Sequence, residues 1–276
     1  MENKKAKGKG KKILFGILGG LLALILVVVI AVAVIAGRNV KAMDSCVDAV
    51  LAELEKEYTV TPVDPGKYKE MTVYGIMKFH VEQYDIRNIG NLSVMRVNMG
   101  VMQMATVVIT PEDRNLPLMS ADFMYILSNR KAYLEFYDVV AEKDEQYLNL
   151  LDSLKEVHKD YEHLEDITTS PAWYEHLLTV TVYKGTDRKA DADLQNLLVD
   201  SLHVYLEEGM AFPLLTEEER LEKQRITMEY TDGLIEKGGI STDVFKSSLG
   251  EEETKIFFDC VFFGTAGKFL DSCVIP

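Results

Sequence analysis

One apolar run constrains this chain more than any other feature. Residues 13–36 read ILFGILGGLLALILVVVIAVAVIA, 24 residues without a charged or strongly polar side chain. A helix rises about 1.5 Å per residue, so the run spans roughly 36 Å, enough to cross a hydrocarbon core of about 30 Å. A cleaved signal peptide is the poorer alternative, because its apolar region has only about 7 to 15 residues. The sequence therefore predicts one N-terminal transmembrane helix.

The residues on either side of this run predict its orientation. Residues 1–12 carry six lysines and one acid, whereas the nearest cations after the run are Arg38 and Lys41. Positive side chains are retained on the cytoplasmic side of a membrane. We therefore expect a basic cytoplasmic tail (1–12), a single span (13–36) in the cell membrane and an extracytoplasmic remainder. Gly16 and Gly20 have the G-x-x-x-G spacing through which two anchors can pack closely and dimerise.

The part of the chain beyond the span is strongly acidic. Of 30 cations and 44 acids in the chain, six cations and one acid lie in residues 1–36. The remainder has 24 cations against 43 acids, a net charge of −19. Such a domain is repelled by nucleic acid and by anionic membrane surfaces. We therefore expect no nucleic-acid partner.

Cysteine and histidine spacing gives no metal site. Cys46, Cys260 and Cys273 are an odd number without a C-x-x-C pair, which fits neither a disulfide framework nor a zinc site. Two alternatives remain, a bridge between Cys260 and Cys273 in an oxidising compartment, or three thiols. His158 and His163 are five residues apart, so they do not share a helix face.

The pattern of apolar residues changes along the chain from alternation to helical spacing. Residues 37–69 read as a juxtamembrane helix and linker, and 70–276 as one domain. Short β-rich runs fill 71–140 with tight separators, which indicates antiparallel hairpins. Helical spacing covers 142–165, 191–210, a segment opening at Thr216 with a capping box to Glu219, 241–249 and 251–263. The run LLTVTVYKG is a further strand. We predict an α+β fold with helices on both faces of an antiparallel sheet.

Common catalytic signatures are absent from the sequence, but one carboxylate lies in unusual surroundings. We find no G-x-G-x-x-G, Walker lysine loop, G-x-S-x-G or H-E-x-x-H pattern. Asp122 lies in the otherwise apolar strand PLMSADFMYIL. Burial raises the pKa of a carboxyl group and suits proton transfer. Asp122 is therefore the candidate proton donor or ligand contact, with a solvated strand position as the alternative.

Three further residues are candidate ligand contacts. Asp138 closes the next strand, LEFYDVV, near the strand that carries Asp122. Arg87 and Arg96 lie in consecutive predicted strands, where guanidinium groups can hold a ligand carboxylate. Strand-end capping for the aspartate and edge exposure for the arginines are the structural alternatives.

The order of five segments resembles the ferredoxin-dependent bilin reductases and red chlorophyll catabolite reductase. Residues 70–265, most of the part beyond the span, follow that family's layout. The five segments read FHVEQYDIRNIGNLSVMRV, ATVVITPEDRNLPLMSADF, LEFYDVV, SPAWYEHLLTVTVYKG and FKSSLGEEETKIFFDCVFFG. The resemblance implies an α/β/α sandwich with a pocket for an open-chain tetrapyrrole between the sheet and the C-terminal helices. It also implies no bound cofactor of the protein's own, and it matches Asp122 to the aspartate that meets the pyrrole nitrogens.

The sequence also departs from that family at its proton-handling positions. The family histidine falls near Ala105, an acidic partner falls near Ser93, and a third acidic or amide position falls near Gly239. The acidic domain and its expected compartment also disfavour ferredoxin as a partner. We therefore expect a membrane-anchored tetrapyrrole binder without appreciable turnover. The alternatives are a non-catalytic protein-interaction module at the cell surface and a true bilin oxidoreductase facing the cytoplasm.

Overall fold

A computed structural model describes residues 3–266 of the chain. It contains one large antiparallel sheet with helices on both faces, which confirms the predicted α+β class. The strands are β1 (Val60–Val63), β2 (Glu70–Val73), β3 (Met77–Ile86), β4 (Gly90–Asn98), β5 (Met102–Pro111), β6 (Leu118–Ile126), β7 (Asn129–Tyr137), β8 (Glu165–Asp166) and β9 (Leu178–Asp187). The helices are α1 (Asn3–Glu57), α2 (Glu145–Lys159), α3 (Asp191–Ala211), α4 (Glu217–Lys237), α5 (Ile240–Leu249) and α6 (Glu251–Phe257), followed by a π-helical turn, Phe258–Phe262.

The strands β3 to β7 form a meander in chain order. The full sheet order is β1-β3-β4-β5-β6-β7-β9-β8, and β2 also pairs with β3. Every pairing is antiparallel, as the short separators predict. The strand β1 carries Pro62 on the sheet edge, where the missing N–H breaks no interior ladder.

The two faces of the sheet bury different sets of helices. We call the side covered by α1, α2 and α3 the N-terminal face; it packs Val94, Val107, Phe123 and Leu134 against those helices. We call the side covered by α4, α5 and α6 the C-terminal face. Its core is rich in aromatic rings from Phe79, Tyr137, Tyr230, Phe245, Phe257 and Phe258. Successive strand residues point to opposite faces, so each of the strands β3 to β7 supplies both cores.

Helix α1 is continuous from the apolar run into the domain. It contains one stretch long and apolar enough to cross a membrane, whose most apolar window has a mean hydropathy of 3.2 and is not buried against the protein. The same helix then places Met43, Val47, Val50 and Leu54 in the core of the N-terminal face. The helical part of the segment predicted to be a juxtamembrane helix and linker (37–69) is thus packed against the sheet.

The start of α4 shows how closely local sequence can specify an element. The backbone N–H of Thr216 donates to Glu219 Oε2 at 2.7 Å, and the N–H of Glu219 donates back to Thr216 Oγ1 at 3.3 Å. These two bonds are the predicted capping box. Of the cysteines, Cys46 is buried with a free thiol and Cys260 is disulfide-bonded, while Cys273 lies outside the described residues.

Candidate functional site

Asp122 projects from the middle of the sheet on its C-terminal face. Its neighbours Ala121 and Phe123 point into the opposite core, because side chains alternate along a strand. Across the sheet it is paired with Thr106 on β5 and Tyr133 on β7. The Thr106 hydroxyl donates a hydrogen bond to Asp122 Oδ1. The carboxylate is half-buried, so it is neither a solvated edge residue nor an unpaired buried charge.

The surroundings of Asp122 favour its protonated form. Burial raises the pKa of Asp122 to about 6, the hydrogen bond from Thr106 lowers it, and the nearby charge of Glu135 raises it. A carboxyl group with a pKa of about 6 holds a substantial population of both protonation states close to neutral pH. Asp122 can therefore act as either hydrogen-bond donor or acceptor toward a bound molecule.

Glu135 is a second carboxylate on the same face, and the sequence analysis missed it. It lies two residues after Tyr133 on β7, directly opposite Ser120 of β6. Its carboxylate accepts hydrogen bonds from the Tyr137 hydroxyl and, at 2.7 Å, from the Tyr183 hydroxyl. The period-two spacing of Tyr133, Glu135 and Tyr137 is the signal that could have found it, since all three must share a face.

Aromatic rings fill the space between these carboxylates and α4. The ring of Tyr230 lies 4.9 Å from Tyr137, 5.8 Å from Tyr174 and 6.2 Å from Trp173 between centroids. Burial raises the pKa of Tyr174, as do the charges of Glu135 and Asp122. This group of two carboxylates and four aromatic rings is the candidate site.

Trp173 is fixed at the outer side of this ring cluster. Its Nε1 donates to the carbonyl of Gly238 at 3.0 Å. A Cβ added at Gly233 of α4 would lie 2.3 Å from Cη2 of Trp173, so the indole occupies room that only a glycine leaves. The structure thus fits the indole closely against α4.

The other predicted ligand contacts lie away from Asp122. Arg96 is directed to the N-terminal face, where its guanidinium pairs with Glu82 and lies 3.3 Å from Asp44 of α1. Arg87 is exposed in the turn after β3. Asp138 follows β7, pairs with Lys143 and accepts from the Tyr147 hydroxyl at 3.3 Å. The structure therefore brings none of these three side chains to Asp122.

The position opposite Asp122 on the preceding strand also needs correction. The sequence comparison placed the family histidine near Ala105, but the Ala105 side chain lies in the core of the N-terminal face. Thr106, one residue later, faces Asp122, because a shift of one residue reverses the face. Ser93 does lie on the C-terminal face, where its hydroxyl donates to the Phe262 carbonyl at 2.6 Å. Gly239 caps the start of α5.

Two open clefts lie at the far side of the sheet rather than at this site. They have volumes of about 370 and 600 Å³ and are lined by residues of β9 and of the segment joining α2 to β9, together with the end of α2, the start of β7 and the start of α3. Neither cleft is lined by Asp122 or Glu135. Within residues 3–266, no group of three or more His, Cys, Asp or Glu side chains is arranged to hold a metal ion.

Comparison with known proteins gives a likeness of fold. No family model matches the sequence, and no curated protein matches it. Among solved structures, phytochromobilin synthase from tomato in complex with biliverdin matches with a TM-score of 0.66 and 13% sequence identity. The match covers 83% of this chain and 85% of that chain. The chain therefore has the fold of the bilin reductases, as the order of its sequence segments predicts.

Proposed function

We propose that this chain is a membrane-anchored domain that binds an open-chain tetrapyrrole, or a ligand of the same planar and apolar chemistry, at Asp122. The observation that carries the proposal is the half-buried Asp122 carboxyl, bonded to Thr106 on the face covered by the C-terminal helices. The fold supports it, since a protein with the same architecture holds biliverdin.

The chemistry of the site suits such a ligand. Pyrrole N–H groups donate hydrogen bonds, and a half-buried carboxylate is a strong acceptor for them. Conjugated rings stack on aromatic side chains, which Tyr174, Tyr230 and Trp173 supply. These rings contact one another in the structure, so binding requires that some of them turn aside to admit the ligand.

The site suits binding better than reduction. Reduction of a bilin needs side chains that deliver protons, and the residue facing Asp122 is Thr106, whose hydroxyl is not an acid at neutral pH. Ser93 is committed to the Phe262 carbonyl. We therefore propose a binder that does not turn over biliverdin and carries no cofactor of its own.

We further propose that the domain lies outside the cell, attached by α1. The six lysines before the apolar run support a cytoplasmic N-terminus. The disulfide at Cys260 supports an oxidising compartment, because such bonds are rare in the cytosol. The strongly acidic domain also disfavours acidic electron donors such as ferredoxin.

A second candidate function is a protein-interaction module at the cell surface. The observation that favours it is the close packing of Tyr137, Tyr174, Tyr230 and Trp173, which leaves the site occupied by the chain's own rings. A module of this kind would keep those rings in place whatever planar ligand is offered.

Titration of the full-length protein in detergent with biliverdin, and separately with haem, tests the choice. A binder shifts and sharpens the visible absorbance of biliverdin at a one-to-one ratio. Asp122→Asn keeps the shape and removes the charge, so affinity should fall by roughly 5- to 150-fold, the range of about 1–3 kcal/mol for a buried polar contact. The exposed acid Asp48 provides the matched control, Asp48→Asn, which should bind as the wild type does. Unchanged spectra with both ligands would favour the interaction module, and steady bleaching of biliverdin with a reductant would establish an enzyme.

A further inference from the structure

Three hairpin turns at the same end of the strands carry exposed, large apolar side chains. The turn between β2 and β3 presents Tyr74 and Ile76, which are 59% and 75% exposed. The turn between β4 and β5 presents Val101, and the turn between β6 and β7 presents Leu127, at 50% and 42% exposure. We call these four residues the apolar rim. Clustered exposed apolar groups mark a binding surface more often than scattered ones do.

The apolar rim lies where α1 enters the domain. The Asn39 side chain of α1 is buried and its Nδ2 donates to the Leu127 carbonyl at 3.0 Å. The Leu127 N–H in turn donates to the Val101 carbonyl at 3.2 Å. The β2–β3 turn lies beside them, since Lys78 next to it pairs with Asn98 at the end of β4. The β6–β7 turn thus contacts the first part of α1 that belongs to the domain, and the β4–β5 and β2–β3 turns follow it in order along the sheet.

The rim is also level with the end of the apolar run. Asn39 follows Ala36 by three residues, an axial rise of about 4.5 Å. Val32, Ile35 and Ala36 are partly buried, whereas residues 17–31 are exposed. The domain therefore reaches down beside the last turn of the apolar run. A run of roughly 36 Å is longer than a hydrocarbon core of about 30 Å, so an upright α1 with its first turns in the core would leave this last turn at the lipid headgroups.

Two rim residues, Tyr74 and Leu127, have backbone conformations that their residue types rarely adopt, and both expose apolar side chains to water. Tyr74 has φ 52° and Leu127 has φ 54°, in the left-handed region that favours glycine and asparagine in hairpin turns. A polar residue or glycine would relieve the backbone and would also remove apolar surface from water. Backbone strain of this kind collects at functional positions. An apolar surrounding removes the solvation cost of both side chains.

Exposed cations surround the rim although the domain as a whole is acidic. Arg38 and Lys41 lie on α1, Lys78 beside the first turn and Lys131 beside the third, and all four are exposed. Arg188 adds a fifth, since its N–H donates to the Ser128 carbonyl of the β6–β7 turn at 3.0 Å. Apolar side chains bordered by cations are typical of surfaces that lie in the interface of an anionic bilayer.

We propose that the apolar rim inserts into the headgroup region of the bilayer that α1 spans, so that the domain is seated on the membrane rather than suspended above it. The lipid surface is the occupant, because α1 brings it to the rim. The proposal rests on the proposed membrane anchor and is independent of the tetrapyrrole. It also revises the expectation, drawn from net charge alone, that the domain avoids anionic membrane surfaces.

Tryptophan quenching by lipid tests this seating. The full-length protein is reconstituted in vesicles of phosphatidylcholine and phosphatidylglycerol, with and without brominated acyl chains. The variants are Ile76→Trp and Val101→Trp on separate turns, so that one remains informative if the other fails to fold. The matched control is Leu214→Trp, because Leu214 is 54% exposed and lies at the opposite end of the strands. Its neighbour Leu215 donates its N–H to the carbonyl of Asp113, which follows β5 at that end. The signal of Trp173, the single native tryptophan, is subtracted.

We expect brominated lipid to quench both rim tryptophans several-fold more than the Leu214→Trp control. Equal quenching at all three positions would overturn the seating of the rim. An alkaline carbonate wash distinguishes this failure from loss of the anchor. If the wash leaves the protein in the vesicles and quenching is equal, the anchor stands and the rim proposal fails. If the wash releases the protein, both fail together.

Discussion

The ionised carboxylate of Asp122 destabilises the folded state, so the free energy of unfolding should depend on pH in a defined direction. Its pKa is raised from 3.8 to about 6, mainly by burial. A raised pKa means that the folded state binds the proton more tightly than the unfolded chain does. The stabilising contribution of the proton is therefore complete below about pH 4 and is lost as pH rises through about 6.

Asp122→Asn should for this reason stabilise the protein at neutral pH. Each pKa unit corresponds to about 1.4 kcal/mol, so after a discount for partial exposure the gain is about 1–3 kcal/mol at about pH 7.5 and close to zero at about pH 4. Urea unfolding of the full-length protein in detergent at the two pH values measures it. The exposed Asp48→Asn variant should show no such difference. A loss of stability at neutral pH would mean that the carboxylate is held by stronger contacts than its bond from Thr106.

The sequence identified Asp122 but could not identify its neighbours. A lone carboxylate in an apolar strand is visible without a structure, because burial of a charge is costly. The partners depend on strand register, and an error of one residue selects Ala105 instead of Thr106 as the residue opposite Asp122. For the same reason the sequence analysis chose Asp138 rather than Glu135 as the second carboxylate near Asp122. Arg96 was misplaced for the same reason, since nothing in its strand specifies which face meets α1.

At the scale of elements, α1 contributes to the core of the domain as well as carrying the apolar run. Met43, Val47, Val50 and Leu54 are all buried on the N-terminal face. Full burial of each such side chain contributes about 1.5–3 kcal/mol, and a whole domain is stable by only about 5–15 kcal/mol. The C-terminal part of α1 is therefore required for folding.

Two fragments separate the two roles of α1. Fragment 38–276 keeps the buried residues and should be soluble, cooperative in unfolding, and mixed α and β by circular dichroism. Fragment 59–276 lacks them and should unfold or aggregate, because the N-terminal face of β5 and β6 is left uncovered. Cooperative folding of the shorter fragment would contradict this role for α1.

Most elements could be predicted from local sequence, but the surface against which each helix packs could not. The β3 to β7 meander follows from short separators, and α4 from its capping box. The helical spacing of residues 39–57 is equally clear in the sequence, but it does not say whether the apolar face meets a sheet, another anchor or lipid. Only the contacts with the sheet decide that.

At the scale of the whole molecule, the proposed topology has a direct test. Protease added to intact cells should degrade the domain and spare a cytoplasmic marker protein, because in the proposed topology the six lysines before the apolar run keep the N-terminus inside. Under non-reducing conditions, an alkylation assay should find Cys260 protected from thiol reagents, since it is disulfide-bonded. Degradation that occurs only after permeabilisation would reverse the orientation and would favour a reductase that faces the cytoplasm.

Helix α1 is continuous through Ala36 and Gly37, so in the proposed anchor the helix would fix the direction in which the domain faces on the bilayer. A flexible linker would let the domain rotate relative to the apolar run, but one uninterrupted helix fixes the rotation of the domain relative to that run. Each residue inserted after Ala36 turns the domain by about 100° and lifts it by about 1.5 Å. Seven inserted residues complete about two turns and restore the original facing, yet they raise the sheet by about 10 Å, beyond the reach of its turns to the headgroups. If α1 is the membrane anchor that we propose, the length of this single helix sets both the angle and the height of the domain above the bilayer.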